Sequence, residues 1–478
     1  MKSMLERERK FSVPAGFELP ELGERLREHT LRSTYFDTSD YRLLEAGVTL
    51  RHRLVDGEPG GAWQLKLPSQ GFRSEIEAEG DRAAIPDELR ELIAVLVRDR
   101  ELAPVATLVT ERSGRLARRG RVVVAEVVQD RVTVTASDPT SGPFTEVEIE
   151  LHEAGTPHDL IRIARQLRAA GAGESDGRPK LARALQLDPR HREEPENSAG
   201  TAGPVQLALG MQLQELIRHD PGTRLGHDPD ELHDMRVAVR RLRAILRAAR
   251  SVFRGTFAGE TRAALKELGS SLGAVRDLDV LIAYIRAETA SLPAGERPLV
   301  EPLVAVLEEE RAEARVALLS ALRDPGYFAL LDRLQLAVGG RELSGKSVSL
   351  QKVARREHRK LVKAVRRLDQ NPADAELHQI RIKAKHARYA AELAATSHPK
   401  HVQAYIKRAK ELQDVLGTHQ DAVVAERRIS DAGRKAKKTS TALVAGRLAQ
   451  LQVERRKQAR KSFPDTWRAL AEQGDKTW

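Results

Sequence analysis

Hydrophobic and polar residues alternate along most of the first 150 residues. The alternation is clearest in GVTLRHRLV (47–55), GAWQLKLP (61–68), RSEIEAEG (73–80), ATLVTERSG (106–114), RVVVAEVVQD (121–130), RVTVTAS (131–137) and FTEVEIELHE (144–153). Because successive side chains of a strand point to opposite faces, a period of two predicts β-strands. Helical spacing interrupts them at 19–29 and 86–97 and follows them at 158–170. Seven or eight antiparallel strands with few helices predict a barrel or a sandwich.

The pattern changes after residue 203. Residues 190–203 (RHREEPENSAGTAG) are polar, small and proline-bearing, which is typical of a linker. Beyond them the sequence predicts long helices rich in Ala, Leu, Arg and Glu, separated by short breaks with Gly or Pro. The second part is therefore predicted to be an all-α domain, and the whole chain an α+β multidomain protein.

The helical part contains an internal repeat. LHDMRVAVRRLR (232–243) matches LHQIRIKAKHAR (377–388) at an offset of 145, and LKELGSSLGAVRD (265–277) matches AKELQDVLGTHQD (409–421) at an offset of 144. One residue of slippage over that distance is a loop adjustment, so a helical unit has been duplicated. Two bundles of about four helices each, related by a pseudo-two-fold axis, are predicted.

Composition and charge narrow the class of protein. The 478 residues include no cysteine, so disulfides and thiolate metal sites are excluded. No apolar run approaches the roughly 20 residues of a membrane span, and the charged N-terminus lacks the apolar core of a signal peptide, so we expect a cytoplasmic protein without a membrane partner. The net charge of +11 is uneven: residues 201–478 have 50 Lys and Arg against 34 Asp and Glu, whereas residues 1–200 have 30 against 35. The basic half implies an anionic partner.

Charged side chains occupy alternate positions of the predicted strands. In the first strand Glu6, Glu8 and Lys10 share one face and Arg7 and Arg9 the other. The same alternation places the following charged or polar side chains on common faces: Arg51 and Arg53, Gln64 and Lys66, Glu75 and Glu77, and Glu146, Glu148 and Glu150, with Arg112 on another strand. A sheet with one solvated face explains a single such strand. Across the set, a closed barrel with a charged interior explains the pattern better, because buried charges need partners of opposite sign.

This mixture of charges fits phosphoryl transfer. Mg²⁺ and Mn²⁺ take carboxylate oxygens together with waters and substrate phosphate. Arg and Lys hold the non-bridging phosphate oxygens and offset the charge that builds in the transition state. We find no Ser, Cys or His nucleophile in a convincing context, so a metal-activated water is the predicted nucleophile.

The first part of the chain resembles the CYTH, or triphosphate tunnel metalloenzyme, superfamily. The resemblance rests on the Glu-x-Glu-x-Lys strand at residues 6–10 and covers roughly residues 1–187. Further matching features are Tyr35-Phe36-Asp37-Thr38, the Arg51/Arg53 strand, Lys66, Arg112, Asp130, the Glu148/Glu150 strand and Lys180. It implies an eight-stranded antiparallel β-tunnel that hydrolyses triphosphates with Mg²⁺ or Mn²⁺.

Roles for individual residues follow from the same resemblance. Metal-facing residues would be Glu6, Glu8, Glu148 and Glu150, with Asp130 as a metal or water-orienting residue for which a turn role is the alternative. Triphosphate-binding residues would be Lys10, Arg51, Arg53, Lys66 and Arg112, joined by Lys180. Catalysis would use Glu6, Glu8 and those five cations. Glu75, Glu77 and Glu146 share these faces and could bind metal or merely balance charge.

A basic stripe runs along the first repeated helix. It consists of His233, Arg236, Arg240, Arg243, Arg247 and Arg250, which step by three and four residues. An ordinary solvated helix face is the alternative, but such faces are stabilised by interleaved acids, and this stripe has almost none. The pattern favours an anionic ligand. The chain has only 18 aromatic residues, and none interleaves with this stripe, which disfavours base-reading nucleic acid.

The second part resembles the CHAD, or conserved histidine α-helical, domain over roughly residues 205–475, after a linker at 188–204. The resemblance rests on the duplicated Leu-His-x-x-Arg helices and on the Leu-Gly-x-x-x-Asp segments that end at Asp277 and Asp421. It implies inorganic polyphosphate bound in a basic cavity between two four-helix bundles. The implied binding residues are His233, Arg236, Arg240, Arg243, His378, Arg381, Lys385 and Arg388, with Lys266 and Lys410 in a lesser role.

Taken together, the sequence predicts a cytoplasmic CYTH–CHAD protein, associated with polyphosphate granules through its second domain. The first domain is predicted to convert inorganic triphosphate to phosphate and pyrophosphate. Two alternatives stay open: a non-catalytic polyphosphate-binding scaffold, and a triphosphatase for an organic triphosphate such as thiamine triphosphate or a nucleotide. The sequence leaves the oligomeric state open.

Overall fold

The computed structural model describes residues 2–69, 72–135, 142–187, 202–346, 348–395, 399–435 and 438–478. The chain divides into two compact units, Met1–Glu193 and Glu194–Trp478. Residues 188–201 of the predicted linker lie outside the described residues, so the domain limits at 187 and 205 stay predictions.

The first unit is built mainly from antiparallel strands. The strands are β1 (Lys2–Glu6), β2 (Glu8–Ser12), β3 (Gly23–Arg25), β4 (His29–Asp37), β5 (Thr49–Val55), β6 (Ala62–Ser69), β7 (Phe72–Glu79), β8 (Ala103–Arg119), β9 (Val122–Val134), β10 (Phe144–Leu151) and β11 (Gly173–Glu174). The helices are α1 (Arg42–Glu45), α2 (Asp87–Val97), α3 (Pro157–Ala169) and α4 (Lys180–Ala184). The predicted helices near 86–97 and 158–170 are confirmed. Thr156 and Asp159 form a capping box that begins α3.

One sheet contains all eleven strands. Its order is β1-β7-β6-β5-β4-β8-β9-β10-β2-β11, with β3 paired to β8. β1 pairs with β7 and β2 pairs with β10, yet these two strands are consecutive, separated by Arg7. The same N-terminal segment thus contacts both β7 and β10, although no ladder joins β1 to β2 directly. If β1 and β2 are counted as one strand and the short β3 and β11 are set aside, eight long strands remain. The resemblance implied the same number.

The helix predicted at 19–29 is wrong. This segment contains β3 and the start of β4 instead. Gly23 has a φ of 147°, and a Cβ there would lie 2.2 Å from the carbonyl oxygen of Leu116 on β8. The backbone N–H of Leu26 donates to the carbonyl oxygen of Gly114 at 2.9 Å. Pairing with the 17-residue strand β8 therefore overrides the helical spacing of Leu19, Leu22 and Leu26.

The two faces of the sheet differ in chemistry. On β10, Val147 and Ile149 are fully buried in an apolar cluster with Phe11 of β2 and Ile163 of α3. The alternate residue Glu148 is also buried, with an exposed fraction of 4%. A solvated charged face is therefore excluded for this strand. Its apolar side chains pack beneath α3, and its charged ones are enclosed on the opposite face.

The described residues of the second unit lie mostly in helices. Its α-helices are α5 (Ala202–Leu225), α6 (Pro229–Ala248), α7 (Phe257–Thr289), α8 (Glu301–Arg323), α9 (Pro325–Val338), α10 (Leu350–Val365), α11 (Asp374–Ala395), α12 (Pro399–Lys435) and α13 (Thr439–Thr477). Asp228 caps α6 through the N–H of Asp230, ahead of Pro229 at the first helical position. None of the described helices combines the length and apolar character that a membrane span requires.

The duplication is visible in the helix order. The two copies of the first repeated segment lie on α6 and α11, and the copies of the second lie on α7 and α12. The first copy has five helices, α5 to α9, and the second has four, α10 to α13. A core cluster joins α10, α11, α12 and α13, and a second one joins α7 and α8 to the far ends of α12 and α13.

Candidate active site and basic cluster

A cavity of about 220 Å³ lies inside the first unit. Its walls come from β2, β4, β5, β6, β7, β8 and β10, together with the start of α4. Its lining residues are Lys10, Tyr35, Thr49, Arg51, Arg53, Gln64, Lys66, Glu75, Glu77, Arg112, Glu148, Glu150, Pro179 and Lys180. All six cations that the resemblance assigned to triphosphate binding therefore meet in one cavity.

Strand register explains why side chains distant in sequence meet there. On β2 and β10, Lys10 lies opposite Glu148, and Glu8 opposite Glu150. Directly opposed residues of an antiparallel pair point to the same face, so these four side chains form two adjacent rows. Glu6 ends β1, opposite Arg73, but its side chain lies outside the described part of the chain. Its predicted metal role stays a prediction.

Three carboxylates form an acidic cluster. One oxygen from each of Glu8, Glu148 and Glu150 lies within 4.8 Å of the other two. Burial and then Glu148 raise the pKa of Glu150, since two buried carboxylates repel. Carboxylate oxygens are the ligands that Mg²⁺ and Mn²⁺ prefer, and a divalent cation would relieve this repulsion. The donor set therefore fits the predicted metal.

Lys10 balances part of this acidic cluster. Its ammonium donates to Glu148 and lies 3.6 Å from a carboxylate oxygen of Glu8. Burial alone would lower the pKa of Lys10, but the attraction of Glu148 and Glu8 outweighs it, and the pKa is raised. Lys10 therefore stays charged beside the cluster.

Asp130 lies in the middle of β9, so the turn role left open above is wrong. Arg112 donates to both carboxylate oxygens of Asp130, at 2.8 and 2.7 Å, and Lys180 donates to one of them at 2.5 Å. Burial would raise the pKa of Asp130, but Lys180 and Arg112 lower it further than burial raises it. Asp130 is thus ionised and paired with two cations, and its predicted metal role stays a prediction.

Lys180 links several carboxylates. Its ammonium lies 3.2 Å from oxygens of both Glu146 and Glu148, in addition to its contact with Asp130. Arg183, one turn further along α4, donates to Glu146 at 2.6 Å. Because Lys180 and Arg183 neutralise it, Glu146 balances charge and does not join the acidic cluster.

Arg51 and Arg53 lie on β5, and both line the cavity. Arg51 donates to Gln64 at 2.8 Å and to the Tyr35 hydroxyl at 3.0 Å. Arg53 donates to the Ser33 hydroxyl at 3.5 Å, and none of the described carboxylates lies within ion-pair distance of it. Burial, followed by repulsion from Arg51 and Arg112, lowers the pKa of Arg53 to about 10. Within the part of the chain that the structure describes, no ion pair therefore balances the charge of this guanidinium.

Two acids of β7, Glu75 and Glu77, contact side chains of β6 in the wall of the cavity. Glu75 accepts from Lys66 at 2.9 Å, and Glu77 accepts from Gln64 at 2.5 Å. The contact with Lys66 favours the charge-balancing alternative for Glu75, whereas Gln64 is neutral and leaves the alternatives for Glu77 open.

Tyr35 and Thr49 also line the cavity, although neither was predicted from the sequence to do so. Thr49 lies two positions before Arg51 on the same strand face, and Tyr35 lies opposite Arg51 in the ladder. Burial would raise the pKa of the Tyr35 hydroxyl, but Arg51, Lys180 and Arg53 lower it overall. Extending the period of two back from Arg51 would have found Thr49. To predict that Tyr35 lines the cavity, one would need the register between β4 and β5.

In the second unit the cations of the two repeated helices influence each other. Burial and then Arg381, Arg240 and Arg236 lower the pKa of Lys385 to about 7. Two of these arginines are on α6, whereas Arg381 and Lys385 are on α11. We call these four residues the basic cluster. Its helices carry the two copies of the repeat, and their like charges repel strongly enough to disfavour a proton on Lys385.

The repeat preserves an ion pair. Arg236 lies 3.0 Å from Asp277, and the equivalent Arg381 lies 3.9 Å from Asp421. Each arginine also passes close to the glycine of the Leu-Gly-x-x-x-Asp segment: a Cβ on Gly273 would lie 3.4 Å from the guanidinium of Arg236. The segment therefore positions the arginine of the repeated helix.

The other predicted polyphosphate-binding residues have different surroundings. Burial lowers the pKa of His233, as does nearby Arg276, and burial followed by Arg262 lowers that of Arg243. Arg388 lies 3.3 Å from Glu392 and packs over the ring of Tyr389, which is a local pairing. Partly buried His378 lies on α11, one turn before Arg381, and Lys266 and Lys410 are exposed on α7 and α12. The binding roles of all these residues stay predictions.

Comparisons with known proteins agree with the two resemblances. The CYTH domain profile matches residues 4–178, and the CHAD domain profile matches residues 207–430. The uncharacterized protein Rv2226 of Mycobacterium tuberculosis is 32% identical over 459 residues, which cover 88% of this chain and 87% of that protein. A protein of another M. tuberculosis strain matches over the same length at the same identity.

Two solved structures match part of the chain. PptA from Streptomyces chartreusis is 20% identical, with a TM-score of 0.48, and the match covers 56% of this chain and all of that one. The CHAD domain of the plant Ricinus communis is 26% identical, also with a TM-score of 0.48, and covers 59% of this chain and 96% of that one. These scores are too low to extend the domain assignment.

Proposed function

This chain belongs to the family of proteins that carry a CYTH domain followed by a CHAD domain, and we propose that its CYTH domain is a divalent-metal-dependent triphosphatase. The proposed substrate is inorganic triphosphate, and the proposed products are phosphate and pyrophosphate. A triphosphate tunnel enzyme is the class that the domain assignment supports. The metal and the substrate are part of the proposal.

One observation carries it: the cavity brings two carboxylates of the acidic cluster, Glu148 and Glu150, together with Arg53. Glu8, Glu148 and Glu150 have the donor atoms for a hard divalent ion, and the partly buried Arg53 has no ion pair with any acid that the structure describes. A triphosphate with a divalent ion would satisfy both groups at once. A neutral or cationic ligand would leave the repulsion among Arg51, Arg53 and Arg112 in place.

The side chains suggest a division of labour. Arg53 and Arg51 would donate to non-bridging phosphate oxygens, Arg53 with the larger gain because its charge is unbalanced. Arg112 is already held by Asp130, so its direction is fixed before substrate enters. Such pre-positioned cations stabilise developing negative charge without reorganisation in the transition state. A bound Mg²⁺ or Mn²⁺ would supply Lewis acidity toward the phosphate oxygens.

For the CHAD domain the proposal is polyphosphate binding at the basic cluster. The lowered pKa values of Lys385 and Arg381 support it, because they report a concentration of positive charge that an anion would relieve. Few aromatic residues accompany these cations, which favours a homogeneous polyanion over nucleic-acid bases. We place the protein in the cytoplasm, associated with polyphosphate granules through this domain.

Phosphate release from tripolyphosphate, followed with malachite green in Mg²⁺ or Mn²⁺, tests the enzyme proposal. Wild type should release phosphate, and Glu6→Ala/Glu8→Ala should not. If neither protein releases phosphate, or both release it equally, the proposal fails. Long-chain polyphosphate, ATP and thiamine triphosphate as parallel substrates separate an inorganic from an organic preference.

The alternative is a scaffold in which both domains only bind polyphosphate. The charge of both sites is compatible with it, so binding assays alone do not separate the two functions.

Retention on immobilised polyphosphate should be lost in Arg236→Glu/Arg240→Glu/Arg243→Glu. A control with the same charge change, Arg427→Glu/Lys435→Glu/Lys461→Glu, alters exposed cations outside the basic cluster. Equal loss in both variants would mean that binding follows net charge alone.

A further inference from the structure

Four side chains of the cavity in the first unit form a row across four neighbouring strands. Tyr35 of β4 lies opposite Arg51 of β5. Arg51 in turn lies opposite Gln64 of β6, which lies opposite Glu77 of β7. All four side chains line the cavity. Because directly opposed residues of antiparallel strands point to the same face, each side chain of the row can contact the next one.

Hydrogen bonds join the members of this row. The Nε of Arg51 donates to the Oε1 of Gln64 at 2.8 Å, and the Nε2 of Gln64 donates to Glu77 at 2.5 Å. These neighbours fix the direction of the amide, because a guanidinium only donates and a carboxylate only accepts. Gln64 has an exposed fraction of 5%, so water competes little for these contacts. Glu77 therefore holds the amide of Gln64 in the orientation that Arg51 requires.

The guanidinium of Arg51 is fixed at two of its nitrogens. Besides the contact of its Nε with Gln64, its Nη1 donates to the Tyr35 hydroxyl at 3.0 Å. A guanidinium has five N–H donors, and among the described residues no acceptor takes the other three. Arg51 is buried and lines the cavity, so an anion bound there would supply the missing acceptors.

The adjacent row of the same strands is arranged differently. Lys66 of β6 lies opposite Glu75 of β7 and forms an ion pair with it at 2.9 Å. Beside Arg51 the contact is instead with the neutral amide of Gln64, and none of the described carboxylates lies within ion-pair distance of Arg51. Burial would lower the pKa of Arg51, but Tyr35 and Glu75 raise it overall, so the side chain stays charged. Gln64 thus supports this guanidinium without adding a negative charge beside it.

We propose that Gln64 is a positioning residue of the triphosphatase: it directs the guanidinium of Arg51 toward the substrate phosphates, and Glu77 anchors it. This inference rests on the function proposed above, in which Arg51 donates to non-bridging phosphate oxygens. A guanidinium that is ordered before substrate enters loses less conformational entropy on binding. The neutral acceptor also leaves its charge available to the phosphates.

Steady-state hydrolysis of tripolyphosphate by the full-length protein in Mg²⁺ tests this role. Gln64→Met keeps the length of the side chain and removes the acceptor, so we expect KM to rise by about tenfold and kcat to stay within about twofold. A merely structural role would reduce the fraction of active enzyme, and with it kcat, at an unchanged KM. Gln129→Met is the matched control and should leave KM unchanged. Gln129 of β9 donates to the carbonyl oxygen of Phe17 at 3.0 Å and is not among the residues that line the cavity.

A double-mutant cycle shows whether Gln64 acts through Arg51. Arg51→Met alone should raise KM more than Gln64→Met does. Adding Gln64→Met to Arg51→Met should then change KM by less than about twofold, because the group that Gln64 positions is already absent. A further rise of about tenfold in the double variant would overturn the proposal. A rise in KM for Gln129→Met as large as that for Gln64→Met would do the same.

Two further variants test the neutral acceptor and its anchor. Gln64→Glu keeps an acceptor for Arg51 but balances its charge, so KM should still rise by about tenfold, and a wild-type KM would contradict the need for a neutral group. Glu77→Leu should raise KM by about threefold, but not when Gln64→Met is already present. The Mg²⁺ concentration for half-maximal activity should stay unchanged. A large rise in that concentration would assign Glu77 to the metal and overturn its anchoring role.

Crystal structures of wild type and Gln64→Met separate failure of this inference from failure of the proposed function. Absence of tripolyphosphate hydrolysis by wild type would contradict the proposed function. One orientation of the Arg51 guanidinium in wild type, and a displaced or divided one in Gln64→Met, would support the positioning of Arg51 even then. The same single orientation in both proteins would overturn the positioning role, whether or not wild type is active.

Discussion

Arg112 of β8 donates two hydrogen bonds to Asp130 of β9, at 2.8 and 2.7 Å. The two residues lie directly opposite each other in the ladder, and Asp130 is completely buried. Arg112 also lies 3.4 Å from Glu148 of the acidic cluster. The pair therefore connects the cations of the cavity to its carboxylates, and it fixes the direction of one guanidinium before any ligand binds.

Replacing Asp130 with Asn tests whether this residue positions cations. We expect Asp130→Asn to reduce kcat/KM for triphosphate by about tenfold, because Arg112 and Lys180 lose a charged acceptor. The metal concentration for half-maximal activity should stay unchanged, since the acidic cluster is formed by other residues. Activity titrated with Mg²⁺ checks both values. A large rise in the metal requirement would instead support the metal role predicted for Asp130.

The charge of Arg53 should lower the stability of the protein and strengthen its binding of triphosphate. Its lowered pKa shows that folding disfavours its charge, so Arg53→Met should raise the free energy of unfolding by about 1–3 kcal/mol in urea denaturation. The same change should raise KM for triphosphate by about tenfold. Arg25→Met is a matched control on exposed β3 and should alter neither quantity. A destabilised Arg53→Met protein with normal KM would contradict the role assigned to this guanidinium.

Glu150 should contribute to metal binding. Glu150→Gln removes one of three clustered carboxylates, and we expect Mn²⁺ affinity to fall by about tenfold or more, measured by calorimetry without substrate. Glu58→Gln, on an exposed turn, is the control. The substitution also removes repulsion from Glu148, so the metal-free protein should not be destabilised. Unchanged Mn²⁺ affinity would show that the cluster does not hold the ion.

Lys385 should make polyphosphate binding depend on pH near neutrality. Its pKa of about 7 in the free protein means that Lys385 loses its charge as the pH rises through neutrality. A bound polyanion favours the charged form, so binding takes up a proton and affinity should fall as the pH increases above about 7. Lys385→Arg stays protonated and should flatten this profile. Calorimetric titrations across the range check it, and identical profiles for the two proteins would contradict the prediction.

The strand pattern allowed much of the first domain to be predicted. Alternation placed Lys10, Arg51 and Glu148 on faces that meet in the cavity, because a strand leaves few choices of orientation. The helix predicted at 19–29 failed because its spacing is local, whereas the pairing of Gly23 with β8 depends on residues more than 90 positions away. Local pattern cannot report such a contact.

Pairing among charges was less predictable. The sequence placed Asp130 near the site, but its two cationic partners depend on the β8–β9 register and on the position of α4. In the second domain the repeat predicted equivalent roles for Arg236 and Arg381, and the structure gives each an aspartate partner.

Phosphorus-31 NMR of tripolyphosphate incubated with the full-length protein and Mg²⁺ tests whether the CYTH domain hydrolyses triphosphate. If the charged groups of the cavity cleave a phosphate chain, the tripolyphosphate resonances should be replaced by phosphate and pyrophosphate in equal amounts, and a chelator should stop the change. Persistent tripolyphosphate with a saturated metal and a folded protein would contradict the account.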